Sequence, residues 1–242
     1  MPYADAHNHL QKFPADIREQ IISRSLQNGV ELMFANSATP EDFLIIFQLA
    51  QKHKNIIPCF GLHPWFAGQG QNNWMDALER YLQQTPSCAG EIGLDGACAV
   101  NMKIQEEVFI RQLKLAKQLD RPAVIHCVKA WGRLLEILKN IRLKVFMLHS
   151  YGGSPELVLE LAKLGGYFSF GGEISTREKL KTALKTAPKD RILFETESPG
   201  KREWNKTPSQ ISLVVEFAAE ITGVDTAELA QLSFNNAKKF LE

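Results

Sequence analysis

The chain has 242 residues, of which 45% are hydrophobic and 23% are charged, and its formal net charge is +1. This composition is that of an ordinary globular protein and excludes intrinsic disorder, because the apolar content is sufficient for a core. The near-neutral charge also excludes binding of nucleic acid or membranes through long-range attraction alone. An anionic substrate must therefore be held by a local site or by a metal ion.

The sequence indicates neither a membrane-spanning segment nor a secretory signal. No stretch approaches 18 apolar residues, and the start, MPYADAHNHLQ, lacks a basic region followed by an apolar run. The four cysteines, Cys59, Cys88, Cys98 and Cys127, form no CxxC pair, which favours free thiols over disulfides or a zinc ribbon. We therefore expect a cytoplasmic protein without a membrane partner.

Short apolar or β-branched runs alternate along the chain with segments of helical periodicity. There are eight such runs, at 3–10, 30–38, 55–64, 88–95, 122–128, 144–151, 167–173 and 191–198. Strands that alternate with amphipathic helices are typical of βαβ units and a parallel sheet. Eight repeats predict one α/β domain over residues 1–242, folded as a (β/α)8 TIM-type barrel.

A doubly wound open sheet is the competing architecture. Such a sheet usually has fewer strands and carries a glycine-rich phosphate-binding turn, but the chain contains neither GxGxxG nor GxxxxGK[ST]. No linker rich in proline, glycine or serine divides the chain, so one domain is favoured over two. The stretch 208–241 is predicted to form the closing helices, with the turn and N-cap between them at 224–226.

Histidines and glutamates stand near the C-terminal ends of these otherwise apolar runs. They are His7, His9, His63, Glu91, His126, His149, Glu195 and Glu197. In a (β/α)8 barrel the C-terminal strand ends meet on one face, where active sites are built. A buried carboxylate loses hydration unless it is paired or bound to a metal. The set therefore predicts a metal centre on that face.

The number of these side chains indicates more than one metal ion. His7 and His9 are two residues apart, so a strand presents both on the same side, about 6–7 Å apart and within reach of one ion. Taken singly, each histidine could be a core residue and Glu91 a salt-bridge partner. Together, four histidines and at least two carboxylates can hold two divalent ions, with positions left for water and substrate. Such ligands do not distinguish Zn, Mn and Mg.

Several short motifs together resemble the TatD-type metal-dependent hydrolases, often described as TatD-related deoxyribonucleases. The motifs are DAHNHL (5–10), GLHP (61–64), GEIGLD (90–95), QEEVFIRQLKLAKQLDRPAVIHC (105–127), HSYGGS (149–154), ETESP (195–199) and NNAKKFL (235–241). They span nearly the whole chain in the order of that family. The resemblance implies an amidohydrolase-like (β/α)8 hydrolase that uses metal ions to cleave phosphodiester bonds of DNA.

The resemblance also implies a role for each strand-end residue. One ion would be held by His7, His9 and Glu197. The other would be held by His126 and His149, with Glu91 bridging the two ions. Glu91 and Glu197 would also take part in catalysis. His63 would lie beside the metals and contact the scissile phosphate.

Basic and aromatic residues directly after the eighth run are candidates for contacts with the substrate. Lys201, Arg202 and Lys206 are predicted to overhang the site, at the barrel end where loops are usually functional, and Trp204 to stack on a base. Trp65, after GLHP, is the other aromatic candidate, although packing explains it equally well. We expect DNA or another phosphoester as the substrate. The sequence does not decide the oligomeric state, for which we favour a monomer.

Three positions depart from the family pattern. The family usually has Asp where this chain has Glu197, and the longer side chain moves the carboxylate by about 1.3 Å, enough to disturb a working geometry. The arginine and the acid that commonly follow the fifth-strand histidine are replaced by Val128 and Lys129. Gly96 stands where an aromatic residue often follows GLD. We therefore expect weak nuclease activity.

Two alternatives to a deoxyribonuclease stay open at this point. One is a hydrolase of a small phosphoester or an amide that uses the same site, because a barrel does not by itself determine the reaction. The other is a catalytically impaired member that binds metal or nucleic acid. The position of Glu91 carries no lysine, which argues against the carbamylated-lysine amidohydrolases.

Overall fold

The computed structural model describes residues 1–69 and 73–242 and has a parallel sheet of eight strands at its centre. The strands are β1 (Tyr3–Asn8), β2 (Val30–Asn36), β3 (Ile56–Phe60), β4 (Cys88–Asp95), β5 (Ala123–Val128), β6 (Phe146–Leu148), β7 (Gly166–Phe170) and β8 (Ile192–Phe194). Each strand pairs in parallel with the next one along the chain. This is the connectivity of successive βαβ units.

In the described chain a helix follows each strand, and one more helix comes after the last of these. They are α1 (Ala15–Gln27), α2 (Phe43–Lys52), α3 (Trp74–Gln84), α4 (Met102–Gln118), α5 (Trp131–Ile141), α6 (Pro155–Lys163), α7 (Glu178–Thr186), α8 (Ile211–Thr222) and α9 (Thr226–Phe240). In α4, Phe109, Leu113 and Ala116 are buried at spacings of four and three residues, so one face of this helix packs on the sheet. The closing helices predicted over 208–241 are α8 and α9, and Asp225 caps α9 as predicted.

Hydrogen bonds beyond the end of β8 join the last strand to the first. The N–H of Glu197 donates to the carbonyl oxygen of His7 (2.9 Å), and the N–H of His9 donates to the carbonyl oxygen of Ser198 (2.7 Å). The sheet therefore curves into a nearly closed barrel, and the (β/α)8 prediction is confirmed. The same bonds hold the segment after β8 against the end of β1.

One end of the barrel is filled with apolar side chains. Phe240 of α9 packs against Phe34 of β2 and Tyr167 of β7, with ring centroids 6.1 and 5.4 Å apart. These rings belong to one buried cluster with Cys59, Cys88, Val124, Met147 and Leu193. Because α9 covers this end, the C-terminal strand ends at the other side are left for polar residues.

The structure agrees with two of the compositional expectations. No helix within residues 1–69 and 73–242 is long and apolar enough to cross a membrane. The four cysteines are free thiols, of which Cys59, Cys88 and Cys127 are buried and Cys98 is partly buried.

Candidate metal centre

The predicted metal ligands gather at the C-terminal ends of the strands. In chain order they are His7 in β1, His9 just after it, Glu91 in β4, His126 in β5, His149 just after β6 and Glu197 after β8. Parallel strands all end on this side, so residues far apart in the sequence become neighbours. Most of these side chains are buried, whereas that of Glu197 is 37% exposed.

The carboxylate of Glu91 lies at the centre of the group. Its Oε1 atom lies 2.8 Å from His149 Nε2, 3.0 Å from His126 Nδ1 and 3.1 Å from His63 Nε2. No lysine or arginine in the described part of the chain forms an ion pair with this carboxylate. The simpler explanation of Glu91, a salt bridge with a barrel lysine, is therefore wrong.

The second oxygen of Glu91 faces the two histidines of the HxH motif. Its Oε2 atom lies 3.4 Å from His7 Nε2 and 3.6 Å from His9 Nε2. These two nitrogens are 3.4 Å apart, so both rings are on the same side of the chain, as the spacing predicts. Glu197 approaches them from the other strand end, with Oε1 3.7 Å from His9 Nε2 and Oε2 3.3 Å from His149 Nδ1.

These side chains have the spacing and the chemistry of metal ligands. Four groups bring nitrogen and oxygen atoms within 4.8 Å of one another, namely His7 with His9 and Glu197, His7 with Glu91 and His149, His63 with Glu91 and His126, and His149 with Glu195 and Glu197. Several of their buried polar atoms have no hydrogen-bond partner, including Nδ1 of His149 and Oε2 of Glu197, which lie 3.3 Å apart. Such orphaned atoms are costly, and a cation supplies the missing contact. Imidazole nitrogens and carboxylate oxygens therefore fit divalent metal ions here.

His9 and His63 differ in the hydrogen bond made by Nδ1, the ring nitrogen that points away from Glu91. The Nδ1 atom of His9 lies 2.7 Å from the carbonyl oxygen of Asn36, so the proton is on Nδ1 and the lone pair of Nε2 points into the centre. In His63 the arrangement is reversed, because Nδ1 accepts from the N–H of Trp65 (3.2 Å). The proton of His63 is therefore on Nε2, which suits a hydrogen-bond donor better than a metal ligand.

Burial and neighbouring groups shift the pKa values at the centre in different directions. Burial, and then the nearby His149, lower the pKa of His7 to about 4, so His7 is neutral at pH 7. Burial by itself opposes ionisation of Glu91, but His63, His149 and His7 outweigh it and hold its pKa well below the ordinary value. Burial also opposes the charged form of His149, but Glu91 and Glu197 outweigh it and raise its pKa well above the ordinary value. A metal ion must therefore displace a proton from His149.

Asp95, the last residue of β4, is a site residue that the sequence analysis does not single out. Its Oδ2 atom lies 3.2 Å from His126 Nε2 and accepts a hydrogen bond from Trp65 Nε1 (2.6 Å). Its Oδ1 atom accepts from the N–H of Ala97 (2.8 Å). A carboxylate on the far nitrogen of a ligating imidazole fixes the orientation of the ring. The signal in the sequence was the motif GEIGLD, which ends at this residue.

Two other buried carboxylates support the strand ends. Glu195 accepts from the N–H of Ser150 (2.8 Å) and lies 3.5 Å from His149 Nδ1. Asp5 accepts from both the N–H (2.8 Å) and the hydroxyl (2.7 Å) of Thr196. Burial raises the pKa of Asp5 to about 7. Both carboxylates therefore hold the main chain that carries the candidate ligands.

A cleft of about 440 Å³ opens beside the centre. Its walls include Glu91 and Glu197 together with Lys12, Trp65 and Phe66. Lys12 and Trp65 are exposed, and the exposed fraction of Trp65 is 54%. The cleft thus combines the buried carboxylate with one cation and one exposed aromatic ring. The sequence analysis did not predict a role for Lys12.

The segment after β8 corrects one expectation about substrate contacts. Trp204 is only 8% exposed, and a Cβ on Gly172 would come within 2.3 Å of its indole, so the ring packs tightly over this glycine. Because the ring is covered, the prediction that Trp204 stacks on a base is wrong. Lys201 and Arg202 are exposed, but their side chains are not among the residues that line the cleft in the described chain. Their contact with a substrate stays a prediction.

A parallel eight-stranded barrel with imidazoles and carboxylates gathered at its C-terminal end is the arrangement of a metal-dependent (β/α)8 enzyme. The profile of the family described as TatD related DNase matches residues 4–242. The chain belongs to this family, which confirms the resemblance that its motifs indicate.

Similar proteins agree with this assignment. The chain is 29% identical over 253 residues to the uncharacterized metal-dependent hydrolase YabD of Bacillus subtilis, with 97% of each chain covered. It is 25% identical over 256 residues to deoxyribonuclease TATDN3 of Homo sapiens, with 97% of this chain and 93% of the relative covered. The crystal structure of YJJV, a TatD homolog from Escherichia coli k12, matches with a TM-score of 0.91 at 26% identity. That match covers 98% of this chain and 97% of the other.

Proposed function

We propose that this chain is a deoxyribonuclease that hydrolyses phosphodiester bonds at the centre around Glu91. The proposal depends above all on one observation. The buried carboxylate of Glu91 faces five imidazoles at the C-terminal end of the barrel. Membership in the TatD related DNase family and the relative named deoxyribonuclease support it. DNA is accordingly the substrate that we propose.

We assign two divalent ions to the centre. The assignment is His7, His9 and Glu197 for one ion, His126 and His149 for the other, and Glu91 for both. It is supported by the way in which Oε2 of Glu91 faces the first pair of histidines and Oε1 faces the second. When bound, such ions polarise a phosphoryl oxygen and lower the pKa of water. Zn, Mn and Mg all remain candidates.

The protein's own groups would orient the phosphodiester and move the proton. His63 lines the cleft, carries its proton on Nε2 and can donate a hydrogen bond to a phosphate oxygen. Burial lowers the pKa of His63, which keeps it neutral at pH 7. Glu197 is the more exposed carboxylate of the centre, and it can accept the proton of the attacking water. Lys12, Lys201 and Arg202 would contact phosphates farther along the strand.

A small phosphoester is the second candidate substrate. The cleft volume of about 440 Å³ is in the range of small-molecule sites, which favours a substrate of nucleotide size at the centre itself. A DNA end presents such a unit as well, so the two candidates share the same cleft. They differ in whether residues outside the cleft contribute to binding.

Metal-dependent cleavage of DNA tests the proposal. We expect hydrolysis of single-stranded or duplex DNA with Mg²⁺, Mn²⁺ or Zn²⁺, and none in the presence of a chelator. Elemental analysis should give about two ions per chain, and saturating metal should raise the melting temperature, because only the native state gathers the ligands. No metal and no thermal shift would contradict the assignment. Hydrolysis of small phosphoesters without cleavage of DNA would favour the second candidate.

Three further properties stay predictions from the sequence. They are the single domain over residues 1–242, the monomeric state and the cytoplasmic location. Gel filtration with light scattering tests the monomer, and limited proteolysis tests whether the chain behaves as one unit. Fractionation of cells that express a tagged chain tests the location.

A further inference from the structure

Trp65 is an exposed aromatic side chain beside the metal centre. It is the one aromatic among the large apolar side chains that are exposed in residues 1–69 and 73–242. A single exposed apolar residue needs no functional explanation. Two properties set Trp65 apart, the rigidity of its ring and its place in the wall of the cleft.

Two contacts of the indole and one of its main chain hold Trp65 in one orientation. Its Nε1–H donates to the carboxylate of Asp95 at 2.6 Å, a short charge-assisted hydrogen bond. Its main-chain N–H donates to His63 Nδ1 at 3.2 Å. The ring also meets the imidazole of His63 edge to face, with centroids 4.7 Å apart. The indole is therefore fixed before any substrate binds.

Asp95 is itself fixed by the chain around it. Its carboxylate accepts from the N–H of Ala97 (2.8 Å). The side-chain amide of Gln105 accepts from the N–H of Asp95 (2.7 Å) and donates to its carbonyl oxygen (3.0 Å). Gln105 is buried, so these bonds are shielded from water. A platform that is rigid beforehand costs less conformational entropy when a ligand binds.

Trp65 lies where the base of a nucleotide would be if its phosphate were bound beside Glu91. The ring lines the same cleft as Glu91 and His63, and its centroid lies 6.3 Å from that of His126. A phosphate near Glu91 and His63 would therefore put the attached sugar and base within reach of the indole. Aromatic side chains accept any base by stacking, because every base has a π face.

We propose that the exposed face of Trp65 is a stacking subsite for a nucleobase next to the scissile phosphate, held in place by Asp95. This inference rests on the proposed hydrolysis of DNA and deepens it, because it adds recognition of the base to recognition of the phosphate. It also replaces the stacking role that the sequence suggested for Trp204. An aromatic side chain of a protein partner is the other ligand chemistry that an indole could accept.

The kinetic test compares an oligodeoxyadenylate with an oligomer of equal length in which tetrahydrofuran abasic units replace the bases. With metal-loaded protein, Trp65→Leu should raise KM for the oligodeoxyadenylate by about 5- to 150-fold, the range of one lost base stack. It should leave KM for the abasic oligomer within about twofold. Trp65→Phe keeps a ring without the bond to Asp95 and should give a smaller effect on KM. Trp74→Leu, an indole replacement outside the cleft, is the matched control and should change neither KM.

A binding test separates this inference from the proposed function. The Nε1–H resonance of Trp65, assigned by its loss in Trp65→Phe, is followed by NMR during titration with 2′-deoxyadenosine and with 2-deoxyribose. Neither compound has a phosphodiester bond, so the result does not depend on nuclease activity. We expect a saturable shift with the nucleoside and none with the sugar.

Three results would overturn the inference. They are equal responses to nucleoside and sugar, the absence of any response to the nucleoside, and an unchanged KM for the oligodeoxyadenylate in Trp65→Leu with normal metal content. A wild-type protein that cleaves no DNA, but whose Trp65 responds to the nucleoside, would contradict the proposed function and leave the subsite supported. A shift with a purified aromatic peptide and none with the nucleoside is a case of the second result and would point to a protein ligand.

Discussion

The imidazole of His126 presents Nε2 to Asp95 Oδ2 at 3.2 Å, on the side of the ring opposite to Glu91. Its Nδ1 atom lies 3.0 Å from Glu91 Oε1. The carboxylate of Asp95 therefore holds the proton of the ring on Nε2 and leaves the lone pair of Nδ1 for a metal ion. This arrangement is the usual way in which a carboxylate sets the tautomer and the direction of a ligating histidine.

Asp95→Asn should weaken metal binding by about 10- to 100-fold, the usual cost of losing such a support. The amide keeps a similar shape and can still accept a hydrogen bond from Trp65 Nε1. A loss of metal affinity would therefore be due to the missing negative charge beside His126. Titration with Zn²⁺ or Mn²⁺, followed by calorimetry, measures the affinity. Asp16→Asn, an exposed change in the first turn of α1, is the control. Equal affinities in the two variants would contradict the role of Asp95.

Glu91→Gln should abolish hydrolysis and lower metal content, because the neutral amide cannot bridge two cations. The pKa of His149 should also fall, since Glu91 is the main group that raises it. Turnover of DNA and elemental analysis test the first part, and NMR titration of His149 tests the second. Glu107→Gln, an exposed replacement on α4, should leave all three quantities unchanged. Full activity in Glu91→Gln would refute the bridging role.

Glu197→Asp should raise turnover by about 10- to 100-fold, which corresponds to about 1.4–2.7 kcal/mol of activation free energy. The resemblance to the family implies Asp at this position, and the longer side chain displaces the carboxylate by about 1.3 Å. Residue 197 has a φ angle of 58°, a left-handed conformation that Asp adopts more readily than Glu. Metal content should change little, whereas Glu197→Ala should lose both metal and activity. A lower turnover in Glu197→Asp would mean that the site is built around the longer carboxylate.

Lys12→Ala should raise KM for DNA. It should also make the negative slope of log affinity against log salt concentration shallower by about 1, as expected for one lost phosphate contact. Lys201→Ala and Arg202→Ala test the sequence prediction in the same assay. Because the side chain of Lys12 lines the cleft and the other two do not, we expect its effect to be the largest. Metal content should stay constant in all three variants. An unchanged salt slope in Lys12→Ala would place Lys12 outside the DNA path.

Asp5→Asn should change how stability depends on pH. Burial raises the pKa of Asp5 to about 7 in the folded protein, against 3.8 for an ordinary aspartate, so the folded chain binds a proton that the unfolded chain lacks. This contribution is complete below the unfolded pKa and is lost as the pH rises through 7. Asn cannot ionise, so the free energy of unfolding of the variant relative to the natural chain should increase from about pH 5 to about pH 8. Urea unfolding at several pH values measures it, and a difference that does not vary with pH would contradict the raised pKa.

The order of the elements and the position of the metal centre could be predicted from the sequence. Alternating strand-like and helical periodicity is a local property, and eight repeats of it leave few topologies besides a barrel. The same logic located the centre, because parallel strands bring their C-terminal ends together whatever lies between them. His7, Glu91 and His126 were therefore predicted as neighbours although they are far apart in the chain.

Contacts that depend on the paths of loops and on side-chain orientation were decided only by the tertiary structure. Asp95 meets His126 and Trp65 through one carboxylate oxygen, and no periodicity predicts that contact. Trp204 is covered because Gly172 lacks a side chain and lets the indole lie against the main chain. Lys12 lines the cleft because the chain turns just after β1. Strand direction follows from the local sequence pattern, whereas these positions follow from how distant segments pack against each other.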